Sequence, residues 1–239
     1  MGHYTSMSSY YDVIMTSGYY DYPKIVDGLI QSRPAQKILE LGCGTGLIIE
    51  ELAKREPHVA ITGIDLTPEM LVIAQERLRA FSNVRLMQQN VCQMQLREQH
   101  DLVFSYGGVW YFVVEQGKEP FMVSHIPTHD DNLHGIEKMA SHIAEGGRLM
   151  LGTQGPHFNY EKTISNGMTY SQEIEPLEDG FIKHYFLDDG TERVMSQTIH
   201  YRTYDFEQAC AMLGSVGLHY DEDASRADAG SVFIGFSKS

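Results

Sequence analysis

The segment Glu40-Leu41-Gly42-Cys43-Gly44-Thr45-Gly46 constrains this chain most. The apolar run before it, Lys37–Leu41, reads as a short strand, and Leu47–Arg55 after it as a helix. Three glycines at alternate positions between a strand and a helix permit positive φ and let a ligand approach the backbone. In an open α/β sheet such a turn lies outside the carboxyl end of a parallel strand, where small molecules bind. A dinucleotide turn has the spacing G-x-G-x-x-G. Here Gly46 comes one place early and Leu47 fills the dinucleotide position, which disfavours a nicotinamide oxidoreductase. The Gly-Lys-Ser/Thr of a P-loop is absent.

The rest of the chain repeats the strand–helix alternation. Ala60–Asp65, Val84–Gln88, 101–105 and 148–153 read as further strands. Pro68, Glu69 and Met70 open a helix that Thr67 is placed to cap, and 133–144 reads as a helix stopped at Glu145-Gly146-Gly147. This order predicts right-handed crossovers and a parallel sheet covered on both faces. The segment up to Pro34 is rich in tyrosine (Tyr4, Tyr10, Tyr11, Tyr19, Tyr20, Tyr22) and predicts one or two helices, the second over Tyr22–Ser32 and ended by Pro34. Residues 168–174, 181–187 and 194–204 alternate apolar and polar side chains around the turn Asp188-Asp189-Gly190, predicting an inserted antiparallel sheet. A helix over 205–216, with Asp205 as N-cap and Gly217 as stop, and a buried strand over 231–236 complete the chain.

Composition narrows the function classes. With 18 Lys plus Arg against 32 Asp plus Glu, the 239-residue chain carries −14, which opposes binding of phosphate backbones; no nucleic-acid partner is expected. No apolar run approaches the roughly 20 residues that span a bilayer, and no secretion signal opens the chain, so no membrane partner is expected. Three cysteines without a CxxC pair support neither a disulfide framework nor a zinc site, and a reducing cytoplasm fits. His125, His129 and His134 read as solvated loop or helix-face residues, and no metal site is expected.

The pattern E-x-G-x-G-x-G resembles motif I of the class I S-adenosylmethionine-dependent methyltransferases. The resemblance extends over about 37–153 and the last helix and strand. It implies an α/β fold: a Rossmann-like seven-stranded, mostly parallel sheet with helices on both faces, an N-terminal helical cap and an inserted antiparallel lid sheet. The expected organisation is one methyltransferase domain, with the cap over 1–34, the core over 35–154 and 205–239, and the lid over 155–204. The cofactor implied is S-adenosylmethionine. In that family the glycine loop passes beside the amino-acid part of the cofactor, which assigns Glu40, Gly42, Cys43, Gly44 and Gly46 to it. An acidic residue at the end of the second strand takes the ribose hydroxyls; Asp65 stands there, with Leu66 and Met70 beyond it. An ionised carboxylate can accept two hydroxyl protons. The end of the third strand touches adenine, which assigns Asn90, where the family often has Asp, and Val91. Ser105 and Tyr106 end the fourth strand beside the cofactor. Tyr11-Asp12 and Asp21-Tyr22 match small-molecule N-methyltransferases of the amino-sugar and glycine type, in which an N-terminal helix closes over the cofactor. Tyr11 and Tyr22 are therefore cofactor-binding candidates, and a tyrosine face suits a sulfonium.

The acceptor is expected above the fourth strand. Nucleic-acid amino-methyltransferases carry an Asn/Asp-Pro-Pro-aromatic motif there; this chain has Ser105-Tyr106-Gly107-Gly108-Val109-Trp110-Tyr111-Phe112. Gly108, Trp110 and Tyr111, with Tyr170, Tyr185 and Tyr201 from the lid, are the substrate-binding candidates, and His184, His200 and Arg202 share those lid segments. Alternation does not say which face of the lid strands turns inward. His157 is the candidate general base. The expected activity is methyl transfer to a nitrogen of a small planar metabolite in natural-product biosynthesis, by a monomer or homodimer. The alternatives are a small-molecule O-methyltransferase with a histidine base, and a non-methylating S-adenosylmethionine-binding protein or cyclase.

Overall fold

The computed structural model describes residues 6–32, 35–223, 225 and 232–239. Helices α1 (Ser8–Thr16) and α2 (Tyr22–Ser32) come first. They are followed by β1 (Lys37–Leu41), α3 (Leu47–Arg55), β2 (Ala60–Asp65), α4 (Pro68–Leu78), β3 (Val84–Gln88) and β4 (His100–Ser105). Strands β5 (Trp110–Val113) and β6 (Phe121–Ser124) lead to α5 (His129–Ser141) and the long β7 (Ile143–Gln154). Then come β8 (Tyr160–Thr163), β9 (Thr169–Leu177), β10 (Gly180–Asp189), β11 (Glu192–Tyr204), α6 (Phe206–Gly214), β12 (Leu218–Asp221) and β13 (Phe233–Lys238). Tyr4, Pro34 and Ser231 lie outside the described residues.

Seven strands form the core layer in the order β3-β2-β1-β4-β7-β13-β12. The first five are parallel, with Leu39 opposite Thr62 and Val103, and Ser105 opposite Leu151. Strand β13 runs against both neighbours, pairing Ile234 with Leu151 and Phe236 with Tyr220, so β12 again points with the parallel set. This is the expected seven-stranded, mostly parallel sheet. Neighbouring residues of β1 and β4 feed opposite cores, as a sheet covered on both faces requires. Ile38, Leu102 and Phe104 join α2, α3 and α4 through Leu29, Ile49, Leu52 and Leu71. Leu39, Leu41 and Val103 join α5 and α6 through Ile136, Met139, Met212 and Leu213.

Past Gly152, β7 changes partner. Thr153 and Gln154 pair with Phe112 and Val113 of β5, which opens a second sheet, β5-β6-β11-β10-β9-β8, antiparallel throughout. The sequence places this sheet in 155–204 alone; β5 and β6, to which it assigns no element, add two strands. Its inward face carries Tyr170, Phe181, Tyr185, Leu187, Met195 and Tyr201, packed on Met7, Ile14 and Met15 at α1.

Three local expectations are corrected. The helix expected over 133–144 begins at His129, because Thr128 accepts the amide of Asp131 and caps it earlier. It ends at Ser141; Ile143 is drawn into β7 opposite His100, and 144–147 bulge out of the register. Thr67 stands at the N-cap of α4 as expected, but its side chain makes no capping bond, because its hydroxyl turns to Asp65 instead. Asp205 does cap α6, in a reciprocal capping box with Gln208.

Candidate active site

The glycine turn is held from two sides. The amides of Gly42 and Cys43 both donate to the carbonyl of Ile64, at 2.8 and 2.9 Å. Backbone meets backbone below it: a Cβ on Gly42 would lie 3.1 Å from Cα of Gly108, and one on Gly108 would lie 2.7 Å from the Leu41 carbonyl oxygen. Only two glycines let the β1 and β4 connections touch in this way. Gly44 has φ +54°, and its amide donates to Asp65 Oδ2 at 2.8 Å.

Asp65 Oδ1 accepts the amide of Thr67 at 2.8 Å. Each carboxylate oxygen thus holds a backbone donor, and the Thr67 hydroxyl and the Leu66 amide also turn to this carboxylate. Burial raises the pKa of Asp65 above the ordinary carboxylate value, opposed by the amides of Thr67, Gly44 and Leu66. Glu40, one strand over, is 2% exposed; burial first, and then the charge of Asp65, push its pKa well up. Its Oε2 has no hydrogen-bond partner.

Helix α1 is strapped across the turn by a polar network. Thr45 Oγ1 donates to Asp12 at 2.6 Å, and the Arg77 guanidinium forks between Asp12, Glu50 (3.0 Å) and the Thr45 carbonyl (2.9 Å). That fork carries Tyr11 over the glycines: a Cβ on Gly44 would sit 3.7 Å from its ring. Burial raises the pKa of the Tyr11 phenol well above 10.

Two cavities meet here. A cleft of about 620 Å³ is bordered by Tyr11, Gly42, Gly44, Asp65, Thr67 and Gln89, with Ile64, Leu66, Met70, Val91 and Val109 as apolar walls. A small chamber lies beyond it, walled by Tyr19, Tyr20, Tyr111, Tyr185 and Tyr201 together with Lys183. Tyr11, Gly107 and His125 line both. His125 is 6% exposed, and burial, with the charges of Lys183 and His157, pushes its pKa down to about 3.

Comparison with known proteins agrees with this geometry. Residues 38–147 match a family model described as a methyltransferase domain. Over those residues this chain is similar to a methyltransferase domain. Malonyl-[acyl-carrier protein] O-methyltransferase 1 of Ilyobacter polytropus is 25% identical over 153 residues, 62% of this chain and 51% of that protein. The corresponding enzyme of a Paenibacillus species is 47% identical over 57 residues, 23% of this chain and 21% of that protein. The chain thus matches about half or less of the length of these relatives. Among solved structures, an S-adenosylmethionine-dependent methyltransferase from Clostridium acetobutylicum superposes with TM-score 0.71 at 20% identity, covering 98% of each chain. An S-adenosylmethionine-bound amino pentose methyltransferase from Micromonospora echinaspora gives 0.69 at 20% identity over 96% of each.

The amino pentose methyltransferase is solved with S-adenosylmethionine bound, and the cleft of this chain suits that molecule. Asp65 offers acceptors of the kind a ribose diol needs, Gly42 and Gly44 leave room for an amino-acid tail, and the apolar walls suit a purine.

Of the sequence-derived cofactor candidates, Tyr11, Gly42, Gly44, Asp65, Leu66, Met70 and Val91 border the cleft, and Gly108 joins them. The rest of that set support the cleft from behind. Cys43 packs its sulfur toward Gly63, and a Cβ on Gly46 would strike Leu78 at 2.7 Å. Asn90 turns to cap the 3-10 turn Val91–Gln93, accepting the amide of Cys92, so that its neighbours Gln89 and Val91 face the cleft instead. Ser105 Oγ accepts the amides of Val109 and Trp110 and shapes the loop. Tyr22 and Tyr106 pack edge-on against Tyr20, and Glu40 lies beneath the turn.

Among the substrate candidates, Tyr111, Tyr185 and Tyr201 line the chamber, Gly108 borders the cleft, and Trp110 and Tyr170 line neither. Trp110 is 1% exposed on the opposite side of β5, where its indole donates to Asn132 at 2.8 Å; strand alternation sends Trp110 and Phe112 to the core and Tyr111 to the chamber. Tyr170 stacks behind Tyr185, centroids 6.4 Å apart. His184 and His200 turn away from the chamber, and Arg202 pairs with Asp179. His157 borders a separate outer cavity with Tyr106 and Tyr160 and sits between the rings of Tyr111 and Phe181. Burial and the Lys183 charge lower its pKa to about 3, which makes it a weak base at neutral pH.

His125, expected in solvent, is buried at the junction of the cavities, while His129 bonds Tyr204. Lys183 was not singled out by the sequence reading. Its signal is its register, an inward position between Phe181 and Tyr185. Among the described residues no group of three or more His, Cys, Asp or Glu stands ready to hold a metal, and no helix is long and apolar enough to cross a membrane.

Proposed function

We propose that the domain transfers a methyl group from S-adenosylmethionine to a nitrogen of a small planar molecule held in the tyrosine chamber. The observation that carries this reading is the shared border: Tyr11, Gly107 and His125 line both the cofactor cleft and the chamber. A sulfonium supplies a methyl group already activated for in-line displacement, so the protein's part is alignment and exclusion of water. The α1 strap closes one side, the second sheet roofs the other, and tyrosine rings offer flat walls to a planar ring. The two histidines beside the chamber are held neutral and weakly basic, which suits an acceptor such as a ring nitrogen that has no proton to lose. The likeness in fold to an amino pentose methyltransferase described as involved in calicheamicin biosynthesis is in keeping with a place in natural-product biosynthesis.

Oxygen is the second reading, supported by curated relatives named O-methyltransferases and by the buried Lys183 amine, whose pKa burial lowers to about 7. In either reading the catalytic unit combines a cap over 1–34, a core and a lid.

Methyl-labelled S-adenosylmethionine, incubated with matched panels of N-heteroaromatics, phenols and carboxylic acids, tests both. The expected result is S-adenosylhomocysteine together with an N-methylated product identified by mass spectrometry. O-methylated products alone would favour the second reading. Tight cofactor binding with no S-adenosylhomocysteine from any panel would mean a non-methylating binder or cyclase.

A further inference from the structure

Among the described residues, the chamber holds one charged side chain and no acid to match it. Lys183 is 1% exposed on the inward face of β10. Its ammonium lies 5.8 Å from the ring centroids of Tyr185 and Tyr201 and 6.0 Å from that of Phe181. Among the described residues no carboxylate comes within ion-pair distance of it, and none borders the chamber. Aromatic faces offset part of the cost of a buried ammonium but do not replace a counter-ion. Burial accordingly lowers the lysine's pKa to about 7. A lysine kept at such a position, opening into a cavity, is arranged for something that arrives with the complementary charge.

We propose that Lys183 is the counter-ion for an anionic group, a carboxylate or similarly acidic oxygen, carried by the acceptor. The proposal deepens the methyltransferase reading and rests on it, since it takes the chamber as the acceptor site. The acceptor is then a planar acid whose ring lies among Tyr111, Tyr185 and Tyr201 while its anion reaches Lys183. Free cationic amines are selected against: the chamber offers them a positive charge, neutral histidines and no carboxylate.

The test uses the full chain with S-adenosylhomocysteine, followed by titration with a panel of planar acids (benzoate, 4-hydroxybenzoate, picolinate, indole-3-acetate) and the primary amide of each. In the wild type at least one acid should bind tenfold or more tightly than its amide. In Lys183→Met that preference should vanish while S-adenosylhomocysteine binding is unchanged, which also shows that the variant is folded. Equal affinities for every acid–amide pair, absence of acid binding, or a preference that survives Lys183→Met overturns the proposal alone. Failure of the wild type to bind S-adenosylhomocysteine overturns the methyltransferase reading, and the assignment of Lys183 with it.

Discussion

Asp65 accepts the backbone amide of Gly44 at 2.8 Å, so the acid at the end of β2 and the glycine turn after β1 form one rigid unit. Its other oxygen is held by Thr67, and the carboxylate is fixed in position before any ligand arrives. Replacing Asp65 with Ala removes the acceptor for a ribose diol and strands the Gly44 and Thr67 amides. Affinity for S-adenosylhomocysteine should fall by about 1–3 kcal/mol, measured by calorimetry. A change within error would make Asp65 a purely structural residue.

Gly44→Val places a branched side chain under Tyr11, at a residue with φ +54°. Cofactor binding should become unmeasurable, with a loss of melting temperature from the strained backbone. Gly44→Ala, whose Cβ makes ordinary contact with Tyr11, should be milder. Wild-type affinity in the valine variant would exclude the turn as the ligand site.

The strap is testable at Arg77. Its guanidinium is partly exposed, with side chains 20% and 37% accessible for Arg77 and Asp12, so the pair is worth about 1 kcal/mol. Arg77→Ala should weaken cofactor binding by a similar amount and speed proteolytic cleavage near α1, without altering the acid-over-amide preference in the chamber. Unchanged cleavage and affinity would mean that α1 docks without the fork.

His125 gives the protein a pH signature. Its folded pKa, about 3, lies below the unfolded value of 6.5. Between the two the unfolded chain binds a proton that the folded one does not, so stability rises with pH across that window and is lost on acidification below 6.5. One proton limits the slope to about 1.4 kcal/mol per pH unit. The melting temperature should drop from pH 6.5 to 5, and His125→Phe should drop less steeply. Parallel curves would place the acid sensitivity elsewhere.

Legibility followed local pattern. Strand β1 and helix α3 stand out on either side of the glycine turn, and their limits, like those of β2 and β3, were readable to the residue. The cleft was readable for the same reason, because the turn and Asp65 are tied to strand ends. Strands β5 and β6 were hidden: Trp110 to Val113 is apolar on both faces, so no alternation separates the core side from the chamber side. The start of α5 was masked by its polar first turn, His129-Asp130-Asp131-Asn132, although Thr128 caps it. The burial of His125 depends on the pairing of β6 with β11, far apart in sequence, which no local spacing encodes; that of Lys183 shows only in its alternation with Phe181 and Tyr185.

The central claim is that S-adenosylmethionine, and not a dinucleotide, fills the cleft between Gly44, Asp65 and Tyr11. Parallel calorimetric titrations of the wild type with S-adenosylhomocysteine and with NAD test it most directly. The account predicts one-to-one binding of S-adenosylhomocysteine, weakened in Asp65→Ala, and no heat from NAD. Binding of NAD, or no binding of S-adenosylhomocysteine, would contradict it.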